Sequence, residues 1–312
     1  MNTGPSNSSG NSSATDADHH ARGAFLALVS TALVASNYIT AKVALQSLNL
    51  ETFFLLWFAA GSALAVGHQL VKMRLRCFTE LVHHGRALLP MAALGAVSNL
   101  LFFAGVGLLD PAISAICYRT ELIFAVLLGM LTLGERLNRM EWCGFALVVA
   151  GLVVIYYRGD ATLGLGSLVM VVSALIGVVS NWLAKRTDPG VEVGLMVAAR
   201  CLGSLALAAV YVLATGRFDV NVPPLPLAMV ALGALLGPFL SFVCYFAALR
   251  YMDFSKVSIL RNSEPVFAAV YGLIFLGSLP GGRQLAGCAL VLAGVVLVAV
   301  FRPETRAGRP TS

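Results

Sequence analysis

The 312 residues include 21 Lys and Arg against 15 Asp and Glu, a net charge of +6, yet only 12% of the chain is charged and 58% is hydrophobic. A soluble domain is about a quarter charged, so this composition, with a mean hydropathy of +0.84, excludes a soluble enzyme. It describes a polytopic membrane protein whose surplus cations set orientation and do not meet nucleic acid.

Residues 1–21 are rich in Ser, Asn, Gly and Asp without apolar periodicity, and are expected to form a disordered cytoplasmic tail. The tail lacks the basic-then-apolar order of a cleaved signal peptide, so the first apolar run is read as a retained span. Runs of about 20 apolar residues, enough to cross a bilayer, then recur at Arg22–Leu45, Glu51–Val71, Ala87–Leu108, Pro111–Leu133, Arg139–Tyr157, Leu163–Arg186, Val191–Ala214, Leu225–Arg250, Ser255–Ser278 and Gly282–Phe301. The fold class is therefore an all-α membrane protein with ten transmembrane helices. Short Gly-, Pro- and Asp-containing turns such as Asp188-Pro189-Gly190 and Pro280-Gly281-Gly282 separate them, and residues 303–312 form a second cytoplasmic tail. Fourteen Lys and Arg fall on the side of the termini and four on the other, and Arg119, Arg200 and Arg261 lie within helices. That asymmetry places both termini in the cytoplasm.

The stretch from Asp110 to Gly134 recurs 143 residues later: Asp110 falls on Asp253, Glu121 on Glu264, Phe124 on Phe267, Gly144 on Gly287 and Gly151 on Gly294. Two repeats follow, residues 22–158 and 159–302, each of five helices. An odd number makes the second copy enter from the opposite face, giving an inverted pair. Such pairs frame a substrate site near the midplane and exchange access by rocking.

The chain resembles the drug/metabolite transporter superfamily, specifically its EamA-like members. The resemblance rests on Ser36-Asn37-Tyr38 with Lys42 and Gly134-Glu135-Arg136 in the first half, and on Ser180-Asn181-Trp182 with Lys185 and Glu264-Pro265-Val266-Phe267 in the second. It implies ten helices, export or facilitated passage of small metabolites, and a central cavity lined by both halves. Members often carry an Arg in the second helix of each repeat. Arg200 keeps it in the second half, while Trp57-Phe58 stand there in the first.

Charged side chains inside spans each cost about 2.5–3.5 kcal/mol on insertion scales, so they must face a cavity or one another. Arg261 and Glu264 are three apart and within pairing reach on one helical face. Arg119 and Glu121 are two apart and diverge, leaving Glu121 freer of its nearest cation. Glu121 and Glu264 are the proton-coupling candidates; the alternative is an ion pair that only holds helices in register. Three arginines against two acids favour a substrate with a carboxylate or phosphate, since a guanidinium presents paired donors to both. Asn37, Asn99, Asn181 and Asn262 offer amides to a substrate or to neighbouring helices, and Tyr38, Tyr118, Trp182 and Tyr245 offer an amphipathic wall. Gly233 and Gly237 form a GxxxG motif directly before Pro238, expected to bring helices close and to kink the eighth span.

The six cysteines are scattered without CxxC spacing and the histidines lack metal-ligand partners, so no metal or cofactor is expected. No nucleotide loop or catalytic motif is present in the sequence, which reads as a non-enzyme. The expected function is a secondary transporter of the bacterial inner membrane that exports a small metabolite, an amino acid or organic acid, with or without proton exchange. The alternatives are a lipid-linked sugar flippase, a small multidrug exporter and a non-transporting membrane scaffold.

Overall fold

A computed structural model describes residues 9–133, 139–156, 161–188, 190–251, 260–261, 263–277 and 281–301. Asp253, Asn262 and the Gly134-Glu135-Arg136 motif lie outside these residues. Among those described there is no strand. The helices are α1 (Ser9–Leu45), α2 (Leu50–Met73), α3 (Arg76–His83), α4 (Gly85–Leu108), α5 (Pro111–Tyr118), α6 (Glu121–Leu133), α7 (Arg139–Tyr156), α8 (Ala161–Lys185), α9 (Val193–Thr215), α10 (Pro224–Ala234), α11 (Phe242–Tyr251), α12 (Glu264–Leu276) and α13 (Gly282–Phe301), with a π-helical segment, Leu235–Ser241, joining α10 to α11. Six helical stretches are long and apolar enough to cross a membrane: Ala21–Leu45, Leu50–Met73, Gly85–Leu108, Gly164–Ala184, Val193–Thr215 and Pro224–Tyr245. Shorter apolar helices include Glu264–Leu276.

Three features differ from the sequence expectation. Helix α1 starts at Ser9, so polar residues expected to be unfolded continue the first span backward; extending a helix that already exists avoids the cost of nucleation. The basic connection after α2 contains its own helix, α3, tied down by the buried Cys77. The run Pro111–Leu133 is not one helix but two, α5 and α6, separated at Arg119-Thr120.

That last break has a local cause, and it occurs twice. Thr120 Oγ1 donates to the Cys117 carbonyl at 2.9 Å, and Ser263 Oγ donates to the Leu260 carbonyl at 2.7 Å. Thr120 and Ser263 are themselves 143 residues apart. A hydroxyl that bonds back to a carbonyl one turn earlier competes with the helical ladder and bends it. The backbone tightens accordingly: Arg119 N–H reaches Ile116 O and Ser263 N–H reaches Leu260 O, both three residues back. Each break ends immediately before a glutamate, so Glu121 and Glu264 open α6 and α12. A carboxylate in the first turn of a helix meets the positive end of its dipole.

Between α10 and α11 stands Pro238, which removes a backbone donor and is accommodated by a π-helical turn. Ser30 Oγ on α1 satisfies the Ser241 carbonyl at 2.9 Å. The glycines before the proline permit close packing: a Cβ at Gly233 would run into the Trp57 ring, and one at Gly237 into the Asn37 amide. The close helix contact expected of the GxxxG motif is present against α2 and α1.

Helices of the two halves pack reciprocally. A Cβ on Gly151 of α7 would lie 2.7 Å from the Gly287 carbonyl of α13, and one on Gly294 would lie 2.5 Å from the Gly144 carbonyl. Gly151 and Gly294, like Gly144 and Gly287, are 143 residues apart, so this swap of partners is what an approximate two-fold relation between duplicated halves produces. Separately, α4 and α8 are joined by a mutual pair of bonds: Ser98 Oγ donates to Ser173 O at 2.9 Å and Ser173 Oγ donates to Ser98 O at 2.7 Å. Between α2 and α4 sits an aromatic core in which Phe103 lies 5.0 Å from both Phe53 and Trp57.

Candidate functional site

The two helix breaks meet in the protein interior. Arg119 stands after the eight-residue α5, about 12 Å from its start, and is 2% exposed. Its Nη2 donates to Glu264 Oε2 at 2.8 Å, and its Nη1 donates to the Arg261 carbonyl at 3.3 Å, a group freed by the second break. Tyr38 Oη, on α1, donates to the other carboxylate oxygen of Glu264 at 2.8 Å. Arg261 Nη2 is farther from Glu264, at 3.8 Å, and its guanidinium lies over the Tyr245 ring, 4.7 Å from the centroid. Glu264 was expected to pair with Arg261 on its own helix; its nearer partner is Arg119 from the other half. Sequence spacing shows only same-helix neighbours, and this pairing joins residues 145 apart.

A second polar group lies beside it. Arg200 Nη1 donates to Asn181 Oδ1 at 2.9 Å, joining α9 to α8, and its guanidinium faces the Phe242 ring at 5.4 Å. Arg200, eight residues into α9, is partly exposed, and Asn181, one turn from the end of α8, is exposed. Among the described residues Arg200 has no acid within ion-pair distance. Gly95 makes room for this pair: a Cβ there would lie 3.1 Å from Ser180 Oγ and 3.3 Å from Arg200 Nε.

Glu121 is half-buried and makes no ion pair or hydrogen bond among the described residues. The charges of Glu121 and Arg200 both act on Tyr118, whose hydroxyl lies over Gly177. Phe102 links the two groups: its ring is 5.2 Å from Tyr38 on one side and 5.2 Å from Tyr118 on the other.

The sequence-predicted residues therefore divide. Tyr38, Arg119, Tyr245, Arg261 and Glu264 form one cluster, and Tyr118, Glu121, Asn181 and Arg200 form a second next to it. Asn37 is buried against Gly237 with Oδ1 unpartnered. Asn99 donates to Ser204 Oγ at 3.1 Å, an interhelical bond. Trp182 is not brought to the cluster, because its ring carries the Arg186 guanidinium at 3.8 Å. Phe102, Phe242 and the Thr120/Ser263 pair were missed. The last had a legible signal, a hydroxyl residue directly before each duplicated glutamate.

Paired broken helices carrying ionisable residues at repeat-related positions, inside a bundle of apolar spans, mark the class of membrane transporters built from internal repeats. Residues 21–157 and 162–300 each match the EamA-like transporter family, and the chain belongs to it. It is thus an integral membrane protein of a transporter family and not an enzyme. Relatives include the Protein RarD of Salmonella typhi, 26% identical over 56% of this chain and 60% of that protein. A protein of Rhizobium johnstonii named "Riboflavin transporter" is 29% identical over 70% of each chain. The chain thus spans about three fifths of the length of the RarD relative. A crystal structure at 22% identity superposes with a TM-score of 0.64, covering 89% of this chain and 97% of that one, and shares the fold.

Proposed function

We propose that this protein is a secondary transporter that moves a small carboxylate-bearing metabolite, an amino acid or organic acid, outward across the bacterial inner membrane. Its ten spans form two inverted five-helix repeats, residues 22–158 and 159–302, that rock to give alternating access, with both termini in the cytoplasm. The observation that carries this reading is Arg200. Glu264 is taken up by Arg119 and Arg261, so the remaining guanidinium bonds an amide and, although the Glu121 charge reaches it, has no acid within ion-pair distance among the described residues. A cation held in a low-dielectric site needs a counter-charge, and a substrate carboxylate supplies one with two parallel hydrogen bonds. The name of the Rhizobium relative supports a small-metabolite cargo. Glu121, opening α6 without a partner, is the candidate for proton exchange.

The test is metabolite profiling of the medium from cells producing wild type, Arg200→Ala or Arg200→Lys at matched membrane levels. Anionic or zwitterionic metabolites should accumulate outside with wild type and fall to the vector level with Arg200→Ala. Arg200→Lys, which keeps the charge but not the planar fork, should recover only part. Export of cations alone, unaffected by Arg200→Ala, would overturn the proposal.

A further inference from the structure

The connection between α2 and α4 has a surface that the transport reading leaves unused. Both flanking helices are candidate spans, so this connection sits where the chain leaves the membrane. Helix α3 has eight residues, about 12 Å, too short to cross. Its inner side is anchored: Cys77 is 1% exposed and packs in a cluster with Leu88, Met91 and Leu195. Its outer side is apolar. Leu75, Phe78 and Val82 are spaced three and four apart along it and are exposed by 74, 47 and 82%, and Val71, near the end of α2 before the turn, is 88% exposed. That spacing is one stripe of a helix surface.

Basic residues border this stripe. Arg74, Arg76 and Arg86 are exposed and have no ion pair among the described residues. Lys72 is paired with Glu192. The other titratable groups on α3 and its flanks include Glu80 and His84, 3.4 Å apart, and the exposed His83, and the α8–α9 connection packed against this cluster adds the exposed Arg186 and Asp188. The free guanidinium groups thus outnumber the acids here. Arg74 stands at φ 54°, the one non-glycine residue with positive φ among those described. It turns the chain out of α2, so that α3 lies across the end of the bundle.

We propose that α3 and its flanks bind anionic phospholipid of the adjoining leaflet, with the Leu75–Val82 stripe among the acyl chains and Arg74, Arg76 and Arg86 on headgroup phosphates. An apolar stripe edged with arginines is the layout of an interfacial helix. Guanidinium groups pair with phosphate in the bidentate geometry they make with carboxylate. A second copy of the chain would place three like charges opposite three more.

The test uses the full chain with Phe78→Trp, reconstituted in nanodiscs containing brominated phosphatidylglycerol or brominated phosphatidylcholine at equal mole fraction. Tryptophan quenching is measured as the difference from the unsubstituted protein. Quenching by the brominated phosphatidylglycerol should exceed that by phosphatidylcholine by about fivefold or more, the preference one guanidinium contributes at an anionic surface. Changing Arg74, Arg76 and Arg86 together to Gln should bring the ratio to unity, with the helical signal retained. Changing Arg217, on the α9–α10 connection, should leave it unaltered. Equal quenching by both lipids in the starting protein would overturn the proposal, as would a ratio unmoved by the triple change. Absence of quenching by either lipid would also overturn it, since protein would then cover the stripe.

Discussion

Replacing Glu264 by Gln separates an ion pair from a set of ordinary hydrogen bonds. The carboxylate meets Arg119 at 2.8 Å, Tyr38 at 2.8 Å and Arg261 at 3.8 Å, with Arg119 and Glu264 almost completely buried. Glutamine keeps the shape and one acceptor oxygen, but its NH2 group turns a donor toward donors. If these contacts were interhelical hydrogen bonds alone, the loss would average about 0.6 and reach at most about 1.7 kcal/mol. Leaving the Arg119 guanidinium buried without its counter-charge costs about 3–5 kcal/mol. Unfolding by SDS in mixed micelles, followed by far-UV circular dichroism, reads the difference. A loss under about 1.7 kcal/mol would refute the ion-pair account. The companion variant Arg119→Leu/Glu264→Leu removes both charges and should recover most of the stability. Failure to recover would mean that Tyr38 or Arg261 depends on the carboxylate more than geometry indicates.

The α7–α13 contact should respond symmetrically: Gly151→Val and Gly294→Val each drive a side chain into the facing backbone and should cost about 1–3 kcal/mol apiece. A neutral result for one alone, in the same unfolding assay, would contradict the reciprocal packing. Gly237→Ala places a methyl against the buried Asn37 amide, and a similar loss of about 1–3 kcal/mol is expected, relieved when Asn37→Ala is added. Glu121→Gln removes no ion pair or hydrogen bond, so stability should stay within about 0.5 kcal/mol while the dependence of transport rate on external pH flattens in proteoliposomes. A pH profile identical to wild type would remove Glu121 from proton exchange.

Much of the polar site was legible because ionisable residues inside apolar runs are costly and must be explained. Arg119, Glu121, Arg200, Arg261 and Glu264 were each found in this way. Their partners were not, because Arg119 with Glu264, and Tyr38 with Glu264, are contacts across the two halves that no spacing rule reaches. Trp182 shows the reverse error. Its repeat relation to Tyr38 suggested a shared role, yet a local cation, Arg186, occupies its ring. The duplicated breaks lay between these cases: Thr120 and Ser263 stood in plain view before each glutamate, but hydropathy alone reads straight across them.

The sequence by itself determined that the chain is a membrane-spanning helical protein built from a duplicated segment. Hydropathy and the 143-residue offset are properties of the linear chain and need no partner to be read. It also determined where the α10–α11 run departs from regular α-helix, because proline lacks a backbone donor wherever it stands. Only the tertiary structure decided which acid neutralises which arginine, and hence that Arg119 and Glu264 close on each other while, among the described residues, Arg200 and Glu121 are left without ion pairs. Charge pairing depends on distances of a few ångströms between helices far apart in sequence, and those distances are set by how the two halves pack.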